Sequence, residues 1–159
     1  MTTTGRVDKV AKQTTASIQI AAAPEIIFDM LADPHQHHLF DGSGMVKGGI
    51  SGPTRLGLGD KFAMSMKIGP LPYRISNTVV EFEDGRLIAW QHLGKHRWRY
   101  TLEPVDNATL VTETFDWSTS MFPPAIEVAG YPTAHLSNIE QTLERLKELA
   151  ETRADDSAT

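Results

Sequence analysis

The chain has 159 residues, enough for one domain with its own core, whereas two domains would each lie near the lower size limit. Hydrophobic residues make up 40% and charged residues 22% of the chain, a balance typical of globular proteins and not of disordered or membrane-spanning ones. The net charge of −5, without a basic stripe, disfavours nucleic acid and anionic membrane surfaces as partners.

Two absences narrow the class of protein further. The chain contains no cysteine, which excludes disulfides, cysteine nucleophiles and thiolate metal sites. No apolar run approaches the roughly 18–20 residues that cross a bilayer, and the N-terminal residues lack the apolar stretch of a secretory signal. We therefore expect a cytoplasmic protein without integral membrane association.

The two ends of the chain differ in composition from its middle. Residues 1–13 and 151–159 are polar and offer almost nothing to bury, which predicts a flexible tail at each end. The intervening residues 14–150 are expected to form a single ligand-binding domain.

The folded part begins with a strand and two short helices. Alternation of apolar and polar residues over 15–20 predicts the first strand. Pro24 then opens a helical pattern that ends near Asp33, and a second short helix is expected over 34–40. Residues 60–68 alternate again and place Phe62, Met64, Met66 and Ile68 on one face of a strand.

Two hairpins follow, and each has a recognisable turn. Asp84-Gly85 is a two-residue turn signal, and pairing the residues on either side of it sets the register of the first hairpin. That register pairs Val79 with Trp90 and Asn77 with His92.

In the second hairpin, Asp106-Asn107 joins 96–105 to 108–117. Glu113 then becomes the one carboxylate on an otherwise apolar face. The pairs on that face are Leu102 with Val111, Tyr100 with Glu113, Trp98 with Phe115 and His96 with Trp117. The other face pairs Thr101 with Thr112, Arg99 with Thr114 and Arg97 with Asp116.

The connection between the two hairpins leaves one orientation open. A two-residue turn at Gly94-Lys95 would put Gln91, and not Trp90, on the face of Trp98, whereas a bulge or a longer loop would reverse this. We favour Trp90 and His92 facing inward. In that case Val80, Phe82 and Leu87 would face outward and mark a dimer contact, so the protein is expected to be a monomer or a homodimer.

A long helix closes the chain. From Thr133 onward, apolar residues recur at steps of three and four along one stripe: Leu136, Ile139, Leu143, Leu146 and Ala150. An antiparallel sheet of six to seven strands must curve around this helix to bury its apolar face. The expected class is α+β, with a hollow between the sheet and the helix.

The chain resembles the SRPBCC superfamily, in particular its polyketide cyclase/dehydrase-like branch. The resemblance covers about 14–150 and lies in the segments 23–34, 87–90, 98–104, 109–116 and 142–147. It implies the helix-grip fold of START lipid-transfer domains and of the birch-pollen allergen type. Because this superfamily includes carriers, receptors, lipid transporters and a few cyclases, the resemblance implies a cavity and does not define a reaction.

Three histidines, His35, His37 and His38, lie close together in the sequence and are candidate metal ligands. His35 and His38 lie close enough in sequence to share a helical face, but no third ligand accompanies them. We expect solvated imidazoles at the mouth of the cavity, with no metal and no cofactor.

Glu113 is the sharpest functional candidate. A carboxylate on an apolar wall is costly unless it is hydrogen-bonded, and burial would raise its pKa toward that of a general base. Tyr100 or His92 would then assist as an acid or hold a substrate oxygen. The alternative, which we favour, is that Glu113, Tyr100, Asn77 and His92 only orient a bound molecule.

The preferred function is therefore binding of a small hydrophobic molecule, such as a lipid, polyketide or aromatic metabolite. The second possibility is a cyclase/dehydratase-type enzyme with Glu113 as general base. The expected ligand-binding residues are Met64, Met66, Asn77, Trp90, Trp98, Phe115, Trp117 and His135.

Overall fold

The computed structural model of the protein describes residues 3–159 and contains eight strands and four α-helices, with a 3₁₀ turn at Pro34–Gln36. The strands are β1 Thr4–Asp8, β2 Gln13–Ile20, β3 Val46–Ser51, β4 Lys61–Ile68, β5 Leu71–Glu83, β6 Leu87–Gln91, β7 Arg97–Val105 and β8 Ala108–Asp116. The helices are α1 Pro24–Leu31, α2 His37–Phe40, α3 Pro123–Val128 and α4 Tyr131–Ser157.

All eight strands form one open antiparallel sheet in the order β1-β2-β8-β7-β6-β5-β4-β3. The α+β class is therefore confirmed, but the expected count of six to seven strands was too low. β1 lies in the segment predicted to be a flexible tail, where Thr4 pairs with Ser17. An edge strand needs only backbone hydrogen bonds on one side, so its polar composition carried no signal of it.

The C-terminal tail also differs from the prediction, because α4 continues to Ser157. The segment contains no glycine or proline that would end a helix. Glu151 also anchors it, since its carboxylate pairs with Lys147 and accepts a hydrogen bond of 2.9 Å from the backbone N–H of Ala21.

The β7–β8 hairpin has the predicted register. Tyr100 lies opposite Glu113, and Trp98 lies opposite Phe115. On the other face of these strands, Arg99 donates to Glu81 at 2.7 Å. The charged side chains therefore occupy the outer face, and the aromatic side chains point toward the interior.

The turn between β5 and β6 is longer than predicted. Glu83 pairs with Leu87, so the two-residue turn was wrong by one position, but a bulge after Val79 restores the predicted pairing of Val79 with Trp90. The bulge turns Phe82 inward, where its ring lies 5.8 Å from that of Phe28. The outward apolar face expected from Val80, Phe82 and Leu87 is therefore not formed.

The open orientation of Trp90 is settled by the loop between β6 and β7. This loop spans five residues, 92–96, and Trp90 pairs with Trp98 across the two strands. Trp90 therefore faces the interior, as favoured from the sequence.

Helix α4 packs against one part of the sheet only. Its buried stripe, which includes Ile139, Leu143 and Leu146, lies mainly on β2 and also contacts β1 and β8. The inner faces of β4 to β7 are left to line a cavity.

A close approach fixes α4 to the segment after α2. The Gly42 N–H donates to the Thr142 hydroxyl at 2.8 Å. A Cβ at Gly42 would lie 2.4 Å from the Asn138 carbonyl oxygen and 2.5 Å from the Thr142 backbone nitrogen. Only glycine fits there without moving the helix backbone.

We expect Gly42→Ala to lower the free energy of unfolding by about 2–3 kcal/mol, because the added methyl overlaps helix backbone that cannot yield as a side chain would. Gly48→Ala is the matched control, since a Cβ at Gly48 meets nothing within 4 Å. Urea denaturation compares the two variants. An equal effect of both would contradict the close packing of Gly42 against α4.

Candidate functional site

A cavity of about 440 Å³ lies between the inner face of the sheet and the helices. Its volume falls within the range of pockets that hold small organic ligands. Ten of the eleven residues predicted for the site line it: Met64, Met66, Asn77, Trp90, His92, Trp98, Tyr100, Glu113, Phe115 and His135.

Trp117 is the exception and was wrongly assigned to the ligand surface. It is fully buried behind Phe115, with ring centroids 5.8 Å apart, and does not line the cavity. Its indole N–H donates to Glu127 at 3.0 Å. Periodicity alone places Phe115 and Trp117 on one face, but the cavity ends between them.

Strand alternation supplies the apolar wall. On β4, Phe62, Met64, Met66 and Ile68 all point into the cavity, two residues apart. Phe62 is 2% exposed and Ile68 is 57% exposed. The cavity therefore deepens toward the start of β4 and approaches solvent at its end.

Glu113 on β8 is the most unusual group in the cavity. Glu113 is only 4% exposed, and its Oε2 atom has no hydrogen-bond partner among residues 3–159. Burial raises the pKa of Glu113 to about 8, although the Tyr100 hydroxyl acts to lower it. At neutral pH the carboxyl group is therefore mainly protonated and uncharged.

Tyr100 stands opposite Glu113 on β7. Its ring lies 5.6 Å from that of Trp90, and burial raises the pKa of its hydroxyl well above the ordinary value. Tyr100 therefore remains a neutral phenol beside a neutral carboxylic acid.

His135 faces the cavity from the second turn of α4. Its ring packs edge-on against Phe115 at 4.6 Å and Trp98 at 5.0 Å. Its Nδ1 atom is buried without a hydrogen-bond partner among the described residues. Burial lowers the pKa of His135 to about 4, so the imidazole is neutral at pH 7.

His96, which was placed on the apolar face but not among the site residues, also lines the cavity. Its ring lies 4.1 Å from that of His92 across the β6–β7 loop. Burial lowers the pKa of both, to about 4 for His96, where the charges of His92 and His135 act in the same direction. The five-residue loop between β6 and β7, longer than the two-residue turn at Gly94-Lys95 that was one alternative from the sequence, brings these rings together.

His37 is the residue that sequence reasoning missed. Solvated imidazoles were expected in this segment, but His37 is buried and its ring stacks on Trp90 at 4.8 Å. Its Nε2–H donates to the Leu31 carbonyl at 2.8 Å, and burial lowers its pKa to about 4. The spacing of His37 to Phe40, both buried on α2, was the available signal.

The other histidines of that segment do not form a metal site. His35 lies beside Asp33, with Nδ1 3.0 Å from a carboxylate oxygen. Residues 3–159 contain no group of three or more side chains arranged to hold a metal ion.

The cavity wall carries few charges. Among residues 3–159, its only acidic residues are Asp41 and Glu113, and no lysine or arginine of this part of the chain lines it. The Asp41 carboxylate accepts hydrogen bonds from the Ser43 hydroxyl at 2.8 Å and from the Val46 N–H at 3.1 Å. The polar groups that remain available to a ligand are therefore neutral donors and acceptors on an aromatic wall.

The chain matches the family described as polyketide cyclase/dehydrase and lipid transport over residues 11–151. The chain belongs to this family, and the resemblance identified from the sequence is confirmed. It is also 36% identical over 156 residues to the uncharacterized protein Rv0088 of Mycobacterium tuberculosis. That alignment covers 93% of this chain and 68% of the relative.

Solved structures share the fold at low sequence identity. Protein NE0264 from Nitrosomonas europaea has a TM-score of 0.71 at 14% identity, covering 96% of this chain and all of that one. The Polyketide_cyc-like protein Cgl2372 from Corynebacterium glutamicum has a TM-score of 0.61 at 18% identity, covering 91% and 94% of the two chains. None of the helices within residues 3–159 is both long and apolar enough to cross a membrane.

The buried titratable groups predict how stability depends on pH. In the folded protein the pKa of His37, His96 and His135 is about 4, below the ordinary 6.5. These three histidines therefore lower the free energy of unfolding of the protein as the pH falls below 6.5. The pKa of Glu113 in the folded protein, about 8, lies above the ordinary 4.5. Glu113 therefore lowers the free energy of unfolding as the pH rises from 4.5 toward 8. Of these four groups, only Glu113 continues to lower the free energy of unfolding as the pH rises well above 6.5. We therefore expect maximal stability at about pH 6.5.

Urea denaturation across this pH range tests the assignment. In Glu113→Gln the decline above about pH 6.5 should disappear, because the variant has no carboxyl group to ionise. Glu148→Gln, an exposed change on α4, should retain the decline. Persistence of the decline in Glu113→Gln would show that Glu113 is not the group responsible.

Proposed function

We propose that the protein binds a small, uncharged and mainly apolar molecule in the cavity between the sheet and α4. The observation that carries this proposal is the cavity of about 440 Å³ with its aromatic and methionine wall. Lipids, polyketides and aromatic metabolites are the chemical classes that fit such a wall.

Two buried polar atoms support a ligand that carries oxygen. Glu113 Oε2 and His135 Nδ1 have no partner among residues 3–159, and an unpartnered buried polar atom costs free energy. A hydroxyl or carbonyl group on the ligand would satisfy either atom. These two contacts would orient the molecule, while the apolar wall supplies most of the binding free energy.

The charge of the wall supports an uncharged ligand. Since no lysine or arginine in the described part of the chain lines the cavity, a carboxylate or phosphate group would lose its hydration without gaining a cationic partner there. Any ionised fraction of Glu113 would repel it further. An alcohol, ketone or phenol carries no charge at neutral pH, so it avoids both the loss of ionic hydration and the repulsion.

A second function, a cyclase/dehydratase-type reaction, is supported by the raised pKa of Glu113. A carboxyl group with a pKa of about 8 takes a proton from an acidic C–H more readily than an ordinary carboxylate does. The neighbouring Tyr100 hydroxyl would hold the substrate oxygen. As a base, Glu113 would act only when ionised, so the rate would rise as the pH passes about 8 and Glu113→Gln would abolish it.

Dodecanol and dodecanoate share one chain length and test the preference for an uncharged ligand. Calorimetric titration at neutral pH should show dodecanol binding at least about tenfold more tightly, because dodecanoate must bury an unpaired charge. Equal affinity for both, or tighter binding of dodecanoate, would contradict the proposed ligand class.

Neighbouring residues on β4 test the location of the site. Met66 lines the cavity and Ser65 points to the opposite face of the strand. Met66→Trp fills the cavity and should weaken dodecanol binding by about tenfold or more, whereas Ser65→Trp should preserve it. Binding that survives Met66→Trp would place the ligand elsewhere.

A further inference from the structure

Exposed apolar side chains collect at one end of the sheet. Among the side chains that the structure describes, ten large apolar ones are exposed, and at least six of these lie at strand ends or in connections at this end. They are Val10 between β1 and β2, Ile68 at the end of β4 and Leu71 at the start of β5, Leu93 between β6 and β7, and Met121 and Phe122 after β8. We call these six residues the apolar rim.

Topology brings the rim together. In an antiparallel sheet the start of β2, the ends of β4, β6 and β8 and the starts of β5 and β7 all lie at one end. Hydrogen bonds tie the connections to one another: Met121 N–H donates to the Gly94 carbonyl at 3.1 Å, and Trp117 N–H donates to the Lys12 carbonyl at 3.0 Å. The rim therefore draws on four separate segments at one end of the sheet.

The cavity reaches solvent at this same end. Ile68 belongs both to the cavity lining and to the rim, and Tyr131 at the start of α4 lines the cavity while remaining exposed. The opposite end of the cavity is closed by buried Phe62. An apolar molecule entering from the rim would pass directly into the aromatic interior.

Basic side chains accompany the rim although the whole chain carries a net charge of −5. Lys9 and Lys12 flank Val10, Lys67 precedes Ile68, and Lys95 follows Leu93 by two residues. None of these four lysines belongs to an ion pair within residues 3–159.

The acidic groups nearby are fewer. Asp8 accepts hydrogen bonds from the backbone N–H groups of Val10 and Ala11, and Glu127 accepts one from the Trp117 indole. Asp116, at the end of β8, is paired with Arg99 at 3.4 Å. The charged groups named here, four lysines and Arg99 against three carboxylates, therefore carry an excess of positive charge, whereas the chain as a whole is negative.

We propose that the apolar rim and its four lysines dock on the surface of an anionic lipid bilayer. Exposed apolar side chains that insert among headgroups, together with lysines that meet anionic lipids, are the features by which proteins bind a membrane surface without crossing it. A second copy of the chain fits less well, because facing rims would bring lysines against lysines. The net charge of the whole chain, which disfavoured such a surface, did not show this local clustering.

The biological role of this membrane docking rests on the proposed function, in which the cavity holds an apolar ligand. Because Ile68 belongs to both the rim and the cavity lining, docking would let an apolar ligand move between bilayer and cavity with little exposure to water. The docking itself can be measured without any ligand.

Flotation with vesicles tests the docking. The wild-type protein should float with vesicles of phosphatidylcholine and phosphatidylglycerol, bind vesicles of phosphatidylcholine alone more weakly, and dissociate at high salt. Lys67→Gln should weaken partitioning roughly fivefold and Leu93→Ser roughly tenfold.

Matched controls lie at the other end of the sheet. Lys61 and Lys67 are exposed residues at the two ends of β4, and Leu58, 68% exposed, compares with Leu93, 90% exposed. Lys61→Gln and Leu58→Ser should leave partitioning unchanged. Absence of wild-type binding, or equal losses in rim and control variants, would overturn the proposal.

Two further readouts separate the possible failures. Dodecanol titration of Leu93→Ser without vesicles should match the wild type, because Leu93 does not line the cavity. Normal dodecanol binding without flotation would overturn the docking alone, whereas flotation without dodecanol binding would overturn the proposed function alone. A dimer in solution that Leu93→Ser dissociates would assign the rim to a second copy and overturn the membrane proposal.

Discussion

The pairing of β7 with β8 is the constraint on which the site depends. Because side chains alternate across a strand, the register that sets Tyr100 opposite Glu113 also sets Trp98 opposite Phe115 on the same inner face. A slip of one residue would send Arg99 and Thr114 inward and put the aromatic wall in water. The outer network of Arg99 with Glu81 opposes that slip, since its charges cannot be buried without partners.

The cavity results from incomplete coverage of this inner face. Helix α4 lies mainly on β2 and contacts β1 and β8, so its stripe of leucine and isoleucine does not cover β4 to β7. Large aromatic rings, with Trp90 stacked on His37 and Phe62 edge-on to Trp90, hold the remaining elements apart. The volume left between them is bounded by side chains that also form the core, so packing and ligand binding use the same residues.

Burial gives this volume its chemical character. Desolvation keeps Glu113 protonated and His37, His96 and His135 neutral near pH 7, so a wall with several titratable groups behaves as an uncharged one. Such a wall suits the proposed uncharged ligand. The lysines that accompany the apolar rim do not line the cavity, and in the proposed docking they contact lipid headgroups. The neutral cavity supports the proposed ligand class, and the lysines beside the apolar rim support the proposed docking.

Local patterns in the sequence determined most of the strands and helices from residue 14 onward, the register of the last hairpin and the inner face on which ten of the eleven predicted site residues line the cavity, because strand alternation and the turn Asp106-Asn107 act over short distances. Contacts between distant segments decided the rest. Backbone pairing with β2 makes Thr4–Asp8 a strand, and the bulge after Val79 reverses Phe82. Stacking on Trp90 draws His37 inside, and the meeting of four connections gathers the rim. Each depends on a partner far along the chain, and neither composition nor periodicity records which partner a residue meets in space.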